Sequence, residues 1–582
     1  MKYRKRRIYK AFVAILVYSL GLIGVLSRGT ISAIAQQLPD LDPVEPRPLP
    51  LPNAPPNPDF TSPTLDQPEL PEQCQAAIVV EDIQLITEHP VLSADALERL
   101  NQEYITQDAQ SCAGLIQLAF RVAELYDKEG FSITNAITEI PAATQAAGRG
   151  VVNVVITETT IDEIHIQGLQ RLQAGYVRSR LPISTPLNIP ELQEALQLLA
   201  LDPILANIKA ELRTDIQPGQ SLLIIEAKET KTLNPQFTLN NNRASSVGSH
   251  EQRLGFQTYN ATGLGDRLTV GFTRSEGSSG LDLNYSLPLN AQNGTLSFAH
   301  NRSHSRIIED PFSILDIEST SSTSELSIRQ PLKRRIYDRQ GLFEELAVGA
   351  GLAVRNGQTS LLDIPFPLSA GAESDGTTKT TVLRLFQDYT RQSATEVLAL
   401  RSQFNIGLDA LDSTINEQIA GVEFIPDSRF FSWQGQMQWL KILERNTLWL
   451  VSGNIQLADQ GLFGSEQFSS GGATSVRGYR RDILSSDNGL EFSTELWLPI
   501  LELRDRSVVQ IVPFFGYSLG WNSSNRTEPD PNQLAAMGLG LRWAKDSFTM
   551  RLDWGIPLIA VEEEKDNLQE NGLYFSVEWL GF

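Results

Sequence analysis

Leu268-Thr269-Val270-Gly271-Phe272-Thr273 places an apolar side chain at every second position, with small or hydroxyl-bearing residues between. A two-residue period puts one set of side chains on each face of a sheet. The same rhythm returns at Leu281/Leu283/Tyr285, Met537/Leu539/Leu541/Trp543, Phe548/Met550/Leu552/Trp554 and Phe575/Val577/Trp579. The opposite face of these segments is mostly Ser, Thr, Gly, Asn, Arg and Asp, which suits water better than a packed core.

About sixteen such segments run from Phe237 to Phe582, each near the roughly 9–11 residues that a tilted strand needs to cross a bilayer. Their centres fall near Leu239, Gly255, Val270, Leu283, Phe298, Leu326, Val348 and Leu385, then Phe404, Met437, Val451, Ser493, Pro513, Leu539, Leu552 and Val577. Links at Ala261–Gly265, Asn290–Asn293, Ser393–Thr395, Glu444–Asn446 and Lys545–Asp546 are tight. Those at His304–Thr320, Arg355–Thr378, Asp409–Asp427, Ala458–Asp487 and Asn522–Asn532 are long and polar. Short turns on one side, long loops on the other and an even strand count are the layout of an outer-membrane barrel. Residues 231–582 are therefore read as a transmembrane β-barrel of about sixteen antiparallel strands. A soluble β-sandwich has no reason for such alternation.

A chain of 582 residues predicts more than one domain. Hydrophobic residues make up 41%, and no apolar run after the first thirty positions is long enough for a membrane-spanning helix. Barrel strands hide their apolar residues one in two, so this composition fits one. The formal charge of −21 argues against nucleic-acid binding, which needs clustered Lys and Arg.

Residues 1–35 read as a signal peptide. Lys2, Arg4, Lys5, Arg6, Arg7 and Lys10 form its basic start, Ala11–Leu26 its apolar middle, and Ala33-Ile34-Ala35 its cleavage site. A Pro-rich linker follows over 36–73, with prolines recurring from Pro39 to Pro71; an extended polyproline spacer is expected there. Two small α/β modules come next, at 74–158 and 159–230. In the first, a strand at Ile78–Ile86 precedes a helix capped by Ser93, a helix Ala113–Glu129, and strands at Phe131–Ile137 and Val151–Ile156. In the second, a strand Ile161–Ile166 precedes helices Ala174–Leu181 and Pro190–Leu199 and strands Ile208–Arg213 and Leu222–Ala227. The shared β-α-α-β-β order is an internal repeat. Cys74 and Cys112 are the only cysteines, and an isolated pair in an oxidising compartment is expected to be a disulfide.

Nothing points to an enzyme. The five histidines, at 89, 165, 250, 300 and 304, have no zinc-protease spacing, and no serine-nucleophile elbow occurs. No catalytic residue, metal site or cofactor is expected. A barrel-form hydrolase with its site on separated residues is the remote alternative.

Gly471-Gly472 followed by Val476-Arg477-Gly478-Tyr479 and Arg480-Arg481-Asp482 resembles the signature loop of the two-partner secretion transporters, the hemolysin secretion/activation family. Asp487-Asn488-Gly489-Leu490, Glu495-Leu496-Trp497-Leu498-Pro499-Ile500 and Arg551-Leu552-Asp553-Trp554-Gly555-Ile556-Pro557-Leu558 are similar to further patterns of that family. The resemblance covers roughly Ile78 to Phe582. It implies that the two modules are periplasmic POTRA domains, and that a loop at 461–488 folds back inside the barrel with its arginine on the inner wall. It also implies that an unfolded β-helical exoprotein docks on the POTRA domains and threads the barrel across the outer membrane of a Gram-negative-type bacterium. A barrel-assembly or protein-import factor of the same superfamily is the alternative.

One departure matters. Ile511-Val512-Pro513-Phe514-Phe515-Gly516 is similar to a strand that in the family usually has aspartate where Gly516 stands. By alternation Phe514, Glu495 and Asp553 face the interior, so the two carboxylates are the expected substitutes as partners of Arg477. The terminal aromatic Phe582 is expected to be read by the barrel-assembly machinery, although it falls out of parity with Phe575, Val577 and Trp579. Outer-membrane lipids complete the expected partners.

Overall fold

The computed structural model describes residues 58–61 and 77–581, apart from 132, 215–218, 338–340, 422, 445–446, 504–506, 524 and 562–566. The signal segment, most of the linker, Cys74 and Phe582 lie outside the described residues.

The first described element is a short strand, β1 (Asp59–Thr61). It corrects the expectation of a bare spacer, because it joins the sheet of the second module.

The first module contains β2 (Val79–Ile86), α1 (Ala94–Tyr104), α2 (Cys112–Lys128), β3 (Ile133–Glu139), α3 (Ala142–Ala147) and β4 (Arg149–Glu158). Ser93 and Ser111 cap the two long helices, their hydroxyls accepting from the N–H groups of Ala96 (3.3 Å) and Gly114 (3.2 Å). Leu115, Leu118, Ala119 and Val122 recur at helical spacing on α2, and all four are buried in the module's core. The sheet runs β2-β4-β3, with β2 parallel to β4. Helix α3 departs from the expected order; six residues are too few to show a period. Cys112 is disulfide-bonded.

The second module repeats the plan with β5 (Thr160–Gln167), α4 (Ala174–Arg178), α5 (Ile189–Ala200), β6 (Leu205–Thr214) and β7 (Gln220–Glu229). Leu192, Leu196 and Leu199 of α5 fill its core. Its sheet runs β1-β6-β7-β5.

Sixteen antiparallel strands then close a barrel, from Leu233–Asn240 to Leu573–Leu580. These end strands pair with each other from Ser576↔Asn240 to Leu580↔Gln236. Closure is what permits strands to span hydrocarbon, because no backbone edge is left without hydrogen bonds. Every expected strand centre lies within one of the sixteen. The alternation sorts side chains as expected. Phe272, Leu326, Leu385, Leu539, Leu552 and Trp554 face outward and are exposed, as a lipid-facing belt requires.

Two loop boundaries are corrected. The strands Thr295–Arg306 and Ile317–Tyr337 leave only 307–316 between them, not His304–Thr320. The strands Leu342–Leu361 and Thr377–Gln392 likewise shorten the link expected at Arg355–Thr378 to 362–376, within which Ile364–Pro365 adds a two-residue pairing. One link on the long-loop side is short: only 275–277 separate Arg267–Arg274 from Ser278–Pro288.

The second module sits on the short-turn end. The Gln173 N–H donates to the Gly263 carbonyl (3.0 Å), and Arg180 Nε donates to Asn293 Oδ1 (3.0 Å). Glu229, the last residue of β7, accepts from the N–H groups of Gln170, Arg171 and Leu172 at 2.7, 2.8 and 2.9 Å, and from Asn260 Nδ2 at 3.2 Å. Burial alone raises its pKa, but these donors outweigh that and hold the carboxyl below its ordinary range.

The belt makes a direct prediction. Leu539 lies mid-strand and is 51% exposed. Leu539→Arg is expected to cost about 2–4 kcal/mol in lipid, the range for a cation at the bilayer midplane. Urea unfolding in bilayers checks this, and an unchanged midpoint would place that face in water.

Candidate functional site: a loop clamped to the inner barrel wall

The loop at 459–487 joins the strands Leu448–Ala458 and Asn488–Glu502. Its stem is a small hairpin in which Phe468–Ser470 pairs with Leu484–Ser486. Phe468, Val476, Tyr479 and Leu484 bury against Leu534 and Ala536 of the barrel strand Gln533–Lys545. The loop therefore lies against the wall rather than in solvent.

At its tip, the Arg477 side chain is 6% exposed and is held from three directions. One terminal nitrogen, Nη1, donates to Asp553 Oδ2 at 3.2 Å, and the other pairs with Glu495 Oε1. Its guanidinium carbon stands 4.1 Å from the centroid of the Phe514 ring, a cation–π contact. Arg551 completes the cluster, reaching Glu495 Oε2 at 2.9 Å and Asp553 Oδ2 at 2.8 Å. Two guanidinia and two carboxylates thus neutralise one another where water is scarce. A planar fork suits this bridging better than a point charge does.

The strand registers explain why these groups meet. Glu495 faces Phe514 and Phe514 faces Gly538 across neighbouring strands, and Gly540 faces Asp553, which faces Tyr574. Glu495, Phe514, Asp553 and Tyr574 carry their side chains inward by the two-residue period, and Gly538 and Gly540 lie on the same face. The Tyr574 hydroxyl accepts from the Gly478 N–H (2.9 Å) and donates to the Tyr479 carbonyl. The Tyr479 hydroxyl lies 2.8 Å from the carbonyls of both Ala535 and Ile559 and accepts from the amides of the same two residues at 3.3 and 3.2 Å.

Two glycines make room. Gly478 adopts φ +127°, a backbone region that side chains oppose. A Cβ on Gly555 would stand 2.5 Å from the Arg477 carbonyl oxygen, so the loop can approach that strand only because no side chain is there. Gly516 faces inward against Val476, where an aspartate would have met the loop's backbone; the two carboxylates serve Arg477 instead.

Further ties flank the tip. Arg480 pairs with Glu309 (2.9 Å) and Glu570 (3.4 Å), and Arg355 with Glu466 (3.3 Å). Asp487 is fully buried and accepts from Arg526 (2.7 Å) and from the Leu462 N–H (2.9 Å).

Val476, Arg477, Gly478, Tyr479, Glu495, Asp553 and Phe514 are therefore brought together. The pairing expected of Cys74 with Cys112, and the place of Phe582, fall partly or wholly outside the described residues. Arg551, Gly555 and Tyr574 were missed by sequence reasoning. The first two share Asp553's parity, which already placed them on the same wall; Tyr574 gave a signal only through its alternation with Phe575 and Val577.

Removing Arg477 would leave two buried carboxylates facing a single cation. Arg477→Ala is expected to lower barrel stability by about 3–5 kcal/mol, the usual cost of breaking a buried pair, with Arg477→Lys intermediate. Denaturant unfolding in detergent measures it, and a wild-type midpoint for Arg477→Ala would refute the clamp. Gly555→Ala should expel the tip and open the loop to protease added outside intact cells.

Comparison with known proteins agrees with this architecture. The family model described as "Haemolysin secretion/activation protein ShlB/FhaC/HecB" matches residues 219–543. The outer membrane transporter CdiB of Dickeya dadantii (strain 3937) is 22% identical over 398 residues, covering 66% of this chain and 67% of that protein. Solved CdiB structures share the fold. That from Escherichia coli has a TM-score of 0.65 at 19% identity, covering 88% of this chain and 92% of the other. That from Acinetobacter baumannii has a TM-score of 0.58 at 18% identity, covering 89% and 93%. With more than half its length matched by that model, the chain belongs to the haemolysin secretion/activation protein family ShlB/FhaC/HecB.

Proposed function

We propose that this protein carries a secreted partner protein across the outer membrane. The two POTRA domains stand in the periplasm and capture the partner unfolded, and the barrel conducts it to the cell surface. The observation that carries this reading is the contrast between the two faces of the wall. Outside, the strands present apolar residues to lipid; inside, Asn301, Glu325, Arg384, Arg401, Gln403 and Gln436 line a polar cavity. The inner charges are paired, Arg329 with Glu345 (2.6 Å) and Asp388 (3.1 Å), and Arg401 with Asp388 (3.2 Å). A wall of compensated charges and amides offers an extended chain hydrogen bonds without holding any one segment tightly. Such a surface suits passage rather than storage.

The partner is an exoprotein rich in β-structure, in our reading a β-helix, and its folding outside supplies direction, since the periplasm provides no nucleotide. Insertion requires the barrel-assembly machinery, which would read the aromatic Phe582. The Arg477 clamp fixes the signature loop to the wall while the lumen is at rest.

Deleting both POTRA domains is expected to reduce secretion of the partner at least tenfold, while the barrel still inserts and keeps its heat-modifiable mobility on gels. Secretion at the wild-type level would contradict capture by these domains.

A further inference from the structure

Across the strands Thr377–Gln392, Glu396–Leu408, Phe431–Ile442 and Leu448–Ala458, polar residues and glycine interrupt the outward apolar belt. Gln387 lies opposite Ser402, Ser402 opposite Gly435, and Gly435 opposite Ile455. This row has the parity of Leu385, which is exposed on the outer face. Beside it Leu400, Met437, Gly453 and Phe492 border a groove of about 690 Å³, a volume within the range of small-molecule sites. Two of its features serve nothing in the barrel itself. The Gln387 side chain is exposed and makes no hydrogen bond among the described residues, which is unfavourable for an amide facing hydrocarbon. Ser402, by contrast, accepts from Trp433 Nε1 at 3.0 Å. A Cβ on Gly453 would meet only the Glu491 carbonyl oxygen, at 3.7 Å, so packing does not require glycine there. A glycine inside a strand weakens it and often accompanies the close approach of a ligand.

Toward the short-turn end the groove meets a basic rim. Trp439 and Trp449 stack edge-on there with centroids 5.0 Å apart, as in the aromatic girdle at a membrane–water boundary. Arg391 shares the outward parity of Gln387 and stands opposite Glu344, whose carboxylate is taken by Lys333 at 2.6 Å. Lys441 stands opposite Glu396, whose carboxylate accepts from Trp439 Nε1 at 3.0 Å. Neither Arg391 nor Lys441 forms an ion pair among the described residues. Their strands are two spacings apart, about 10 Å, which two long side chains can close on one phosphate.

We propose that this groove is a binding site for one anionic phospholipid of the periplasmic leaflet. Its acyl chain lies over Gly453, its phosphate meets Arg391 and Lys441, and an ester carbonyl accepts from the Gln387 amide. The groove is continuous with the lipid-facing belt, and its rim has the charge that such a headgroup requires. An acyl chain satisfies the apolar walls, and the ester gives Gln387 the partner that the barrel withholds.

The site requires that the outward face meet lipid, which Leu539→Arg tests separately, and it involves no transport. The purified full-length protein in detergent is titrated with dioleoyl phosphatidylglycerol and read by native mass spectrometry, with dioleoyl phosphatidylcholine as the zwitterionic comparison. Each variant is first shown to be folded by its heat-modifiable mobility. The wild type is expected to retain one phosphatidylglycerol at a concentration at least tenfold below that needed by Gly453→Leu, whose side chain fills the groove. It is expected to prefer phosphatidylglycerol to phosphatidylcholine severalfold, and Arg391→Gln, a change at the rim, to lose that preference. Equal retention by wild type and Gly453→Leu would overturn the proposal. So would a headgroup preference that survives Arg391→Gln, a lipid-free monomer at every concentration, or a lipid-free dimer, which would give the groove to a second copy of this chain.

Discussion

Hydrocarbon offers a peptide group no hydrogen-bond partner, and this single constraint organises the chain. Sixteen strands must close on themselves, so the last, Leu573–Leu580, must find the first, Leu233–Asn240. Closure creates an interior, and the interior poses the second problem. Side chains that alternate with lipid-facing Leu, Phe and Trp must be tolerable in a narrow wet space. The chain answers with paired charges, and it returns one of its own loops to that space.

The returned loop is held by apolar burial and by ion pairs together. Arg477 lies between two carboxylates from different strands, and Arg551 balances the set. Buried ion pairs contribute modest net stability against an apolar alternative, but they are costly to break singly and strongly directional. That combination suits a latch. The tyrosines on either side serve the same end: Tyr574 grips the loop's backbone, and Tyr479 inserts its hydroxyl between two carbonyls of the wall.

Much of this was legible without coordinates. A period of two survives wherever one face meets lipid and the other water, so every strand centre could be found, and parity alone put Glu495 and Asp553 on the inner wall with Phe514. The signal failed where both faces meet water. Glu318-Ser319-Thr320-Ser321-Ser322-Thr323-Ser324 belongs to a 21-residue strand, yet it carries no apolar alternation, so the strand was cut short and its loop drawn too long. It failed again at Asp59–Thr61, a three-residue strand in a proline-rich context, whose pairing depends on the edge of a domain 150 residues away in sequence. Arg551 and Gly555 were missed for a different reason. Alternation identifies the face but not the register between strands, and register decides which inward groups touch.

The central claim is that the signature loop rests inside the barrel against its wall. A Cβ at Gly516 would lie 3.3 Å from Val476 Cα and 3.5 Å from its Cγ1, so cysteines at the two positions meet once the loop gives by a few tenths of an ångström. In Val476→Cys with Gly516→Cys, oxidation of intact outer membranes should form this cross-link in nearly all molecules, while the barrel stays folded and heat-modifiable. A folded barrel whose two thiols stay free under the same oxidation would show the loop to be elsewhere, and the account would fail with it.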